Sequence, residues 1–387
     1  MAKLSPTPSC AEVLDGARRI VIKAGSSLVA GADGGAARCD WMASLAQDIT
    51  ALRQAGRCVV LVSSGAVALG RKALGFADKP LGLEQKQAAA AVGQPVLAAA
   101  WQSAFAPMGV VTAQALLTLD DTEQRRRWLN SRATLEALLA QNALPIVNEN
   151  DTVATDEIRY GDNDRLAARV AQMSGADVLV LLSDVDGLWS ADPARDDAAQ
   201  PVPFVQDITD GIMAMADGPS PLSGLGSGGM VTKLEAARMA ARAGCAVILA
   251  SGVCAHPLAA LREGERATLF APAVSRADAR KSWIAGTIKP AGAVHIDDGA
   301  ARALGKGASL LPAGMVRCSG DFARGDVLSI VDARGRELAR GLASYSAAEA
   351  VRICGLRSQD VRARLGHSAR AAMIHRDDMV LLHRDDG

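Results

Sequence analysis

Residues 19–27 read Arg19-Ile-Val-Ile-Lys23-Ala-Gly25-Ser26-Ser27, an apolar run that ends in a lysine and a turn of Gly and Ser. Arg19–Lys23 has the β-branched composition of a buried strand. Glycine after it lets backbone N–H groups approach a phosphate, and a lysine at that edge can neutralise phosphoryl oxygens. A plain strand ending in a turn accounts for this stretch taken alone. The pattern recurs, however. Further candidate strands are Cys58–Val62, Val110–Gln114, Leu144–Val147, Val178–Leu182 and Ala246–Ala250. Helical patterns are predicted between them, near 40–55, 84–106, 122–142, 163–174 and 230–243. This alternation predicts an α/β fold with a mostly parallel sheet covered by helices. In such folds ligands gather at the C-terminal ends of the strands.

The strand ends carry the polar residues. Val62 runs into Ser63-Ser64-Gly65, a turn that suits a carboxylate or phosphate at a helix start and equally a serine cap. Leu144–Val147 is followed by Asn148-Glu149-Asn150-Asp151, and Gly161-Asp162-Asn163-Asp164 opens the next helix. Asn and Asp offer donors and acceptors that match an amino acid's ammonium and carboxylate groups. The spacing does not match a calcium-binding EF-hand loop. Val178–Leu182 runs into Ser183-Asp184-Val185-Asp186-Gly187-Leu188-Trp189, a polar turn with a flat apolar wall beyond it. Gly224, Gly226 and Gly229 match GxGxxG in form but follow a loop rather than a strand. What remains there is a glycine-rich loop before a helix that carries Lys233 in its first turn.

Composition narrows the chemistry. At 387 residues the chain is long enough for two or three domains, and 49% apolar with 22% charged residues is ordinary globular composition. Zero net charge argues against binding nucleic acid or anionic membrane by bulk electrostatics. No apolar run reaches the ~20 residues of a membrane span. MAKLSPTPSCAEVLDG at the start lacks the apolar core of a secretion signal. Seven cysteines without a CxxC pair do not form a disulfide or zinc framework, so the expectation is a reduced, cytoplasmic protein. All five histidines lie at or beyond His256, which removes histidine bases and metal ligands from the first 250 residues. Two lysines at glycine-rich turns, acid–amide clusters and no histidine point to phosphoryl transfer, which needs positioning and cationic stabilisation. A carboxylate acceptor would already be ionised at pH 7 and would need no base.

From about residue 289 frequent glycines punctuate short runs such as Val327–Val331, predicting a small β-rich module. The predicted boundaries are a catalytic domain over 15–272, a linker over 273–288, the β-rich module over 289–372 and a C-terminal tail over 373–387. From Pro290 onward there are 14 Lys/Arg against 12 Asp/Glu, and the only Phe and Tyr are Phe322 and Tyr345. That is poor material for an RNA-stacking surface.

The segments VIKAGSS, SSGAVALGR, QAAAAVGQ, LPIVNENDTVAT, GDNDRLAA, SDVDGLWSADP and SGLGSGGMVTK together resemble the amino acid kinase family. Within it they are most similar to members that phosphorylate the side-chain carboxylate of L-glutamate. AGAVHIDDGAARAL and GDFARGDVLSIVD resemble the PUA domain appended to many of those members. The resemblance implies a three-layer αβα sandwich with a PUA-like C-terminal domain. It implies transfer of the γ-phosphoryl of ATP to glutamate, with Mg2+ carried by ATP and no metal ligand from the protein. Lys23 and Lys233 would stabilise the phosphoryl group in flight, and Asp164 would hold both lysines. Ser64, Asn148, Asp151, Asp162 and Asn163 would bind glutamate. Lys23, Gly25, Ser183, Asp184 and the stretch Ser227, Gly228, Gly229, Met230, Val231, Thr232 and Lys233 would bind ATP. Inhibition by proline, a homodimer or homotetramer, and a reductase that takes the acyl phosphate are further implications. Alternatives are a relative acting on N-acetylglutamate, aspartate or carbamate, which the NENDTVAT segment argues against, and an RNA-binding PUA protein. A ligand sensor on the same fold would need a broken catalytic set, and both lysines and Asp164 are present.

Overall fold

The computed structural model describes residues 8–31, 35–76, 80–153, 163–216, 229–275, 278, 290–365 and 372–382. The chain divides into two compact units, Met1–Arg276 and Ala277–Gly387. In the first unit the strands are β1 (Arg19–Ala24), β2 (Cys58–Ser63), β3 (Thr112–Leu117), β4 (Leu144–Glu149), β5 (Val178–Ser183), β6 (Leu188–Trp189), β7 (Pro201–Val202), β8 (Phe204–Val205), β9 (Ala246–Ser251) and β10 (Ala267–Phe270). The helices are α1 (Cys10–Gly16), α2 (Ser26–Val29), α3 (Cys39–Gln54), α4 (Ala66–Arg71), α5 (Leu83–Phe105), α6 (Leu119–Glu123), α7 (Arg125–Ala140), α8 (Asn163–Ser174), α9 (Asp210–Ala214), α10 (Met230–Arg242) and α11 (Pro257–Arg262).

One sheet runs in the order β3-β4-β2-β1-β5-β9-β10-β8. From β3 to β9 every neighbouring pair is parallel, and β10 pairs antiparallel with β9. Because successive strand residues point to opposite faces, each strand feeds two cores. Ile20, Ile22, Leu61 and Ile146 pack with α3 and α5 on one side. Val21, Val60, Val147, Leu179 and Leu181 pack with α8 and α10 on the other. The result is the three-layer αβα sandwich. Register places Ala24 opposite both Ser63 and Leu182, and Ser183 opposite Ser251, so the strands end level along one edge.

The predicted strands are present, with one shifted. The third begins at Thr112, not Val110, because Gly109 at φ +66° ends a short 3-10 turn and the Val110 N–H bonds back to the Phe105 carbonyl. The helix predicted over 122–142 is two helices. Thr118 caps α6 in a reciprocal box with Asp121, and extended Gln124 separates α6 from α7. Four-residue β10 and two-residue β8 carry too little pattern to be read from sequence.

Helices α4 and α5 are in backbone contact. A Cβ on Gly70 would lie 1.9 Å from the Ala89 carbonyl oxygen, and one on Gly93 would lie 1.8 Å from that of Ala66. Neither neighbour is a side chain that can swing away. Gly93→Ala is therefore expected to force the helices apart, at a cost of about 1–3 kcal/mol or more. A chemical denaturation curve checks this: an unchanged midpoint would mean that the helices are not in backbone contact.

In the second unit five strands, β11 (Gly292–Ile296), β12 (Met315–Gly320), β13 (Val327–Val331), β14 (Glu337–Leu342) and β15 (Met379–Leu381), form a sheet in the order β12-β11-β13-β14-β15. Its core includes Val294, Leu328, Ile330, Tyr345 and Ile353. The predicted tail differs here. Met373 and Ile374 are fully buried in that core, and β15 pairs antiparallel with β14, so 373–382 belongs to the folded unit. No regular periodicity in the sequence joins Met373 and Ile374 to the strands before them.

Candidate active site

The strand period decides where Lys23 goes. It shares the parity of Val21 and so rises on the α8/α10 side of the sheet, at the C-terminal end of β1. Helix α8 buries Asp164, Ala167, Ala168 and Ala171, and α10 buries Lys233, Ala236, Ala237 and Ala240. Residues three and four apart share one helix face, so each helix carries a charged group at the head of an alanine stripe. Small side chains let α8 and α10 approach closely over the sheet. The three charges meet there: Lys23 Nζ is 2.6 Å from Asp164 Oδ1 and Lys233 Nζ is 3.4 Å from Asp164 Oδ2. All three side chains are at least nine-tenths buried. Burial alone would raise the Asp164 carboxyl, but the charges and hydrogen bonds of Lys23 and Lys233 outweigh it and hold it below the ordinary carboxylate range. Two cations around one carboxylate leave a net positive charge at the end of the sheet.

Beside Lys23, a Cβ on Gly25 would lie 3.7 Å from Nζ and 3.7 Å from the Leu182 carbonyl, in the space next to the cation. Glycine leaves that space unfilled.

A second polar group lies on the other side of β1. Asn148 has the parity of Ile146 and faces the α5 layer, where it is 2% exposed. Its Nδ2 donates to Gln94 Oε1 at 2.7 Å, and its Oδ1 accepts from the Glu149 N–H at 2.9 Å. Asn163, the first residue of α8, donates from Nδ2 to Ser64 Oγ at 2.9 Å and to Asn148 Oδ1 at 3.2 Å. Among the described residues no donor reaches the buried Asn163 Oδ1. Ser64 is fixed in turn by its N–H to the Ala24 carbonyl, before Gly65 at φ +116°. Asp151 stands at the head of a 3-10 turn after β4, where burial pushes its carboxyl up to about 6.

This geometry brings together Lys23, Gly25, Ser64, Asn148, Asn163, Asp164 and Lys233. Asp162, Ser227 and Gly228 lie outside the described residues. Gly229 caps α10, the Thr232 hydroxyl bonds back to the Gly229 carbonyl at 2.8 Å, and Met230 and Val231 rest on the core below. The first backbone N–H groups of this helix have no intrahelical partner. Ser183 is buried, with Oγ donating to exposed Asp184 at 2.9 Å. Trp189 is held from two sides: its Nε1 donates to Asp186, and the Arg266 guanidinium lies 4.9 Å from its ring centre. Among the described residues no group of three or more His, Cys, Asp or Glu side chains is placed to hold a metal ion.

The profile described as the amino acid kinase family matches residues 18–251, and that described as the PUA domain matches residues 292–365. The chain belongs to the amino acid kinase family. A relative from Caulobacter vibrioides named Glutamate 5-kinase is 54% identical over 367 residues, 95% of this chain and 97% of its own length. One of the same name from a Ruegeria species is 55% identical over 369 residues, 95% of this chain and 99% of its own. Glutamate 5-kinase 1 of Mesorhizobium japonicum is 54% identical over 364 residues, 94% of this chain and 96% of its own. Within this amino acid kinase chain, Gln94 is the contact that motif reading passed over. It ends the segment QAAAAVGQ, but a glutamine inside an alanine-rich helix gives no sign of which face it occupies. Among the described residues no helix is long and apolar enough to cross a membrane.

Proposed function

We propose that this chain transfers the γ-phosphoryl group of ATP to the side-chain carboxylate of L-glutamate. The observation that carries the reading is the buried Lys23–Asp164–Lys233 cluster at the strand ends, beside the Asn148–Asn163–Ser64 group. A carboxylate oxygen of glutamate attacks the γ-phosphorus, a P–O bond forms, and the bond to the β-phosphate oxygen breaks. ADP leaves with the electron pair. No proton moves, so the absence of a histidine base costs nothing. Negative charge develops on the equatorial and leaving oxygens, and Lys23 and Lys233 meet it from two elements. Asp164 holds both ammonium groups in place without neutralising both. Magnesium, when bound with the nucleotide, supplies further charge neutralisation on the triphosphate oxygens.

Glutamate sits on the Asn148 side in this reading. Asn163 Oδ1, a buried acceptor awaiting a donor, suits the α-ammonium group, and Asp151 supplies its counter-charge. Ser64 and Asp162 complete the substrate contacts. Ser183, Asp184 and the stretch Ser227–Lys233 hold the nucleotide. The product is an acyl phosphate, which a reductase in the next reaction consumes; proline inhibition, a homo-oligomeric state and a cytoplasmic setting belong to the same reading.

Asp151 gives a pH prediction. Its raised pKa leaves it neutral below about pH 6, where the substrate's own carboxylates stay ionised down to about pH 5. Over that window kcat/KM for glutamate is expected to fall by up to about tenfold per pH unit. Asp151→Asn should abolish the acidic limb. A limb that survives the substitution would remove Asp151 from ammonium binding.

Hydroxamate formation tests the function as a whole. Hydroxylamine traps acyl phosphates, so ATP- and magnesium-dependent signal with L-glutamate, and not with N-acetylglutamate or L-aspartate, is the expected outcome. Signal with another acid would keep the mechanism and move the substrate.

A further inference from the structure

Gln94 lies outside the set of residues that would touch glutamate or ATP, yet it ends a directed chain of hydrogen bonds that reaches the substrate group. Its Oε1 accepts from Asn148 Nδ2 at 2.7 Å. The Glu149 N–H, which can only donate, and Gln94 Oε1, which accepts, together fix which end of the Asn148 amide is Nδ2. Asn148 Oδ1 is thereby turned toward Asn163 Nδ2, 3.2 Å away, and is held there by the Glu149 N–H at 2.9 Å. Asn163 Nδ2, engaged by Asn148 Oδ1 and Ser64 Oγ, leaves its own Oδ1 as a buried acceptor that no donor reaches among the described residues. Reversing the Asn148 amide would set two Nδ2 groups against each other and would favour the reversed Asn163 amide. That reversal would present donors, not an acceptor, to an ammonium group.

The helices fix both ends of this chain. Gly93, next to Gln94, is in backbone contact with Ala66, the first residue of α4, and Ser64 lies two residues before Ala66. The α4–α5 contact therefore sets the separation between Gln94 and Ser64. Pro95 follows inside α5, where its ring fixes the backbone φ immediately after Gln94.

From this chain we infer that Gln94 is a positioning residue for the amino-acid substrate: it sets the Asn148 amide, and through it the Asn163 carbonyl that receives the α-ammonium group. The inference rests on the proposed glutamate site and deepens it. It separates Gln94 from a merely structural role, because the effect must appear in glutamate binding alone and must pass through Asn148.

The test is a double-mutant cycle in the full-length protein, read by hydroxamate formation. Gln94→Met keeps the length of the side chain and removes the acceptor. It is expected to raise KM for glutamate roughly tenfold, the loss of one buried directed hydrogen bond, while kcat and KM for ATP stay within about twofold. Gln94→Ala serves as a second variant with the same expected split. In an Asn148→Ala background, Gln94→Met is expected to change KM for glutamate less than about twofold, because the route is already cut. An unchanged glutamate KM in both single Gln94 variants would overturn the inference, and so would a Gln94 effect of equal size with and without Asn148. A parallel rise in KM for ATP would also overturn it, assigning Gln94 to general support of the fold. If the unaltered protein makes no hydroxamate with glutamate, the site reading itself falls and this inference with it.

Discussion

Lys233→Ala is expected to lower kcat about a thousandfold and to leave the protein folded. Lys233 supplies one of the two cations at the transferring phosphoryl group, and a preorganised charge-stabilising donor in a buried site is worth about 10²–10³ or more in turnover. The fold survives because Asp164 keeps Lys23 at 2.6 Å, so its buried carboxylate is still paired. Helix α10 also keeps its buried alanine face. KM for glutamate should change little, since the Asn148 and Asn163 amides and the Ser64 hydroxyl, which hold the substrate in this reading, are left in place. Turnover by hydroxamate formation and the midpoint of thermal unfolding are the two readings. Near-normal turnover would reduce Lys233 to a counter-ion for Asp164.

Asp164→Asn acts on both stability and catalysis. It leaves two nearly buried ammonium groups without their shared carboxylate. Removing one partner of a buried ionic group costs about 3–5 kcal/mol, because the remaining charge stays buried and uncompensated. Turnover should fall as well, since both lysines lose the group that fixes them. The pH dependence carries a sign. The folded pKa of Asp164 lies below its unfolded value. Its contribution to stability is therefore fully present above the unfolded carboxylate pKa of about 4 and is lost as pH falls through the folded pKa. Denaturation curves should show the gap between unaltered protein and Asp164→Asn holding steady from neutral pH to about pH 5 and narrowing only in stronger acid. A gap that closes near pH 7 would mean that Asp164 is not ionised between the lysines.

How much of this was legible beforehand depended on where the signal lay. The central strands were readable because each is a continuous apolar run with both faces covered, as β5 shows from Val178 to Ser183. Lys23 was readable because a lysine at the end of such a run has no place in a core. Short and late elements were harder: β10 is four residues long and pairs antiparallel with β9, and β15, at the edge of its sheet, lies beyond a polar stretch that hid its pairing with β14. At the site, the charged and amide residues announced themselves at strand ends. Their pairing did not. The meeting of Asp164 with Lys233 depends on two alanine stripes that pack α8 against α10, which is tertiary information. Gln94 was missed for the same reason, since its place follows from the glycine contact between α4 and α5.

One bond defines the proposed reaction, formed between a glutamate side-chain oxygen and the γ-phosphorus of ATP. L-Glutamate labelled with 18O in its side-chain carboxylate, incubated with ATP, magnesium, hydroxylamine and the unaltered protein, tests it directly. Attack by that carboxylate puts its oxygen in the bridge to phosphorus. Hydroxylamine then takes the acyl carbon and releases phosphate with the bridging oxygen attached. The predicted result is inorganic phosphate carrying one 18O for each hydroxamate formed. Phosphate released without label would show that water or another acceptor takes the phosphoryl group, and would contradict the account.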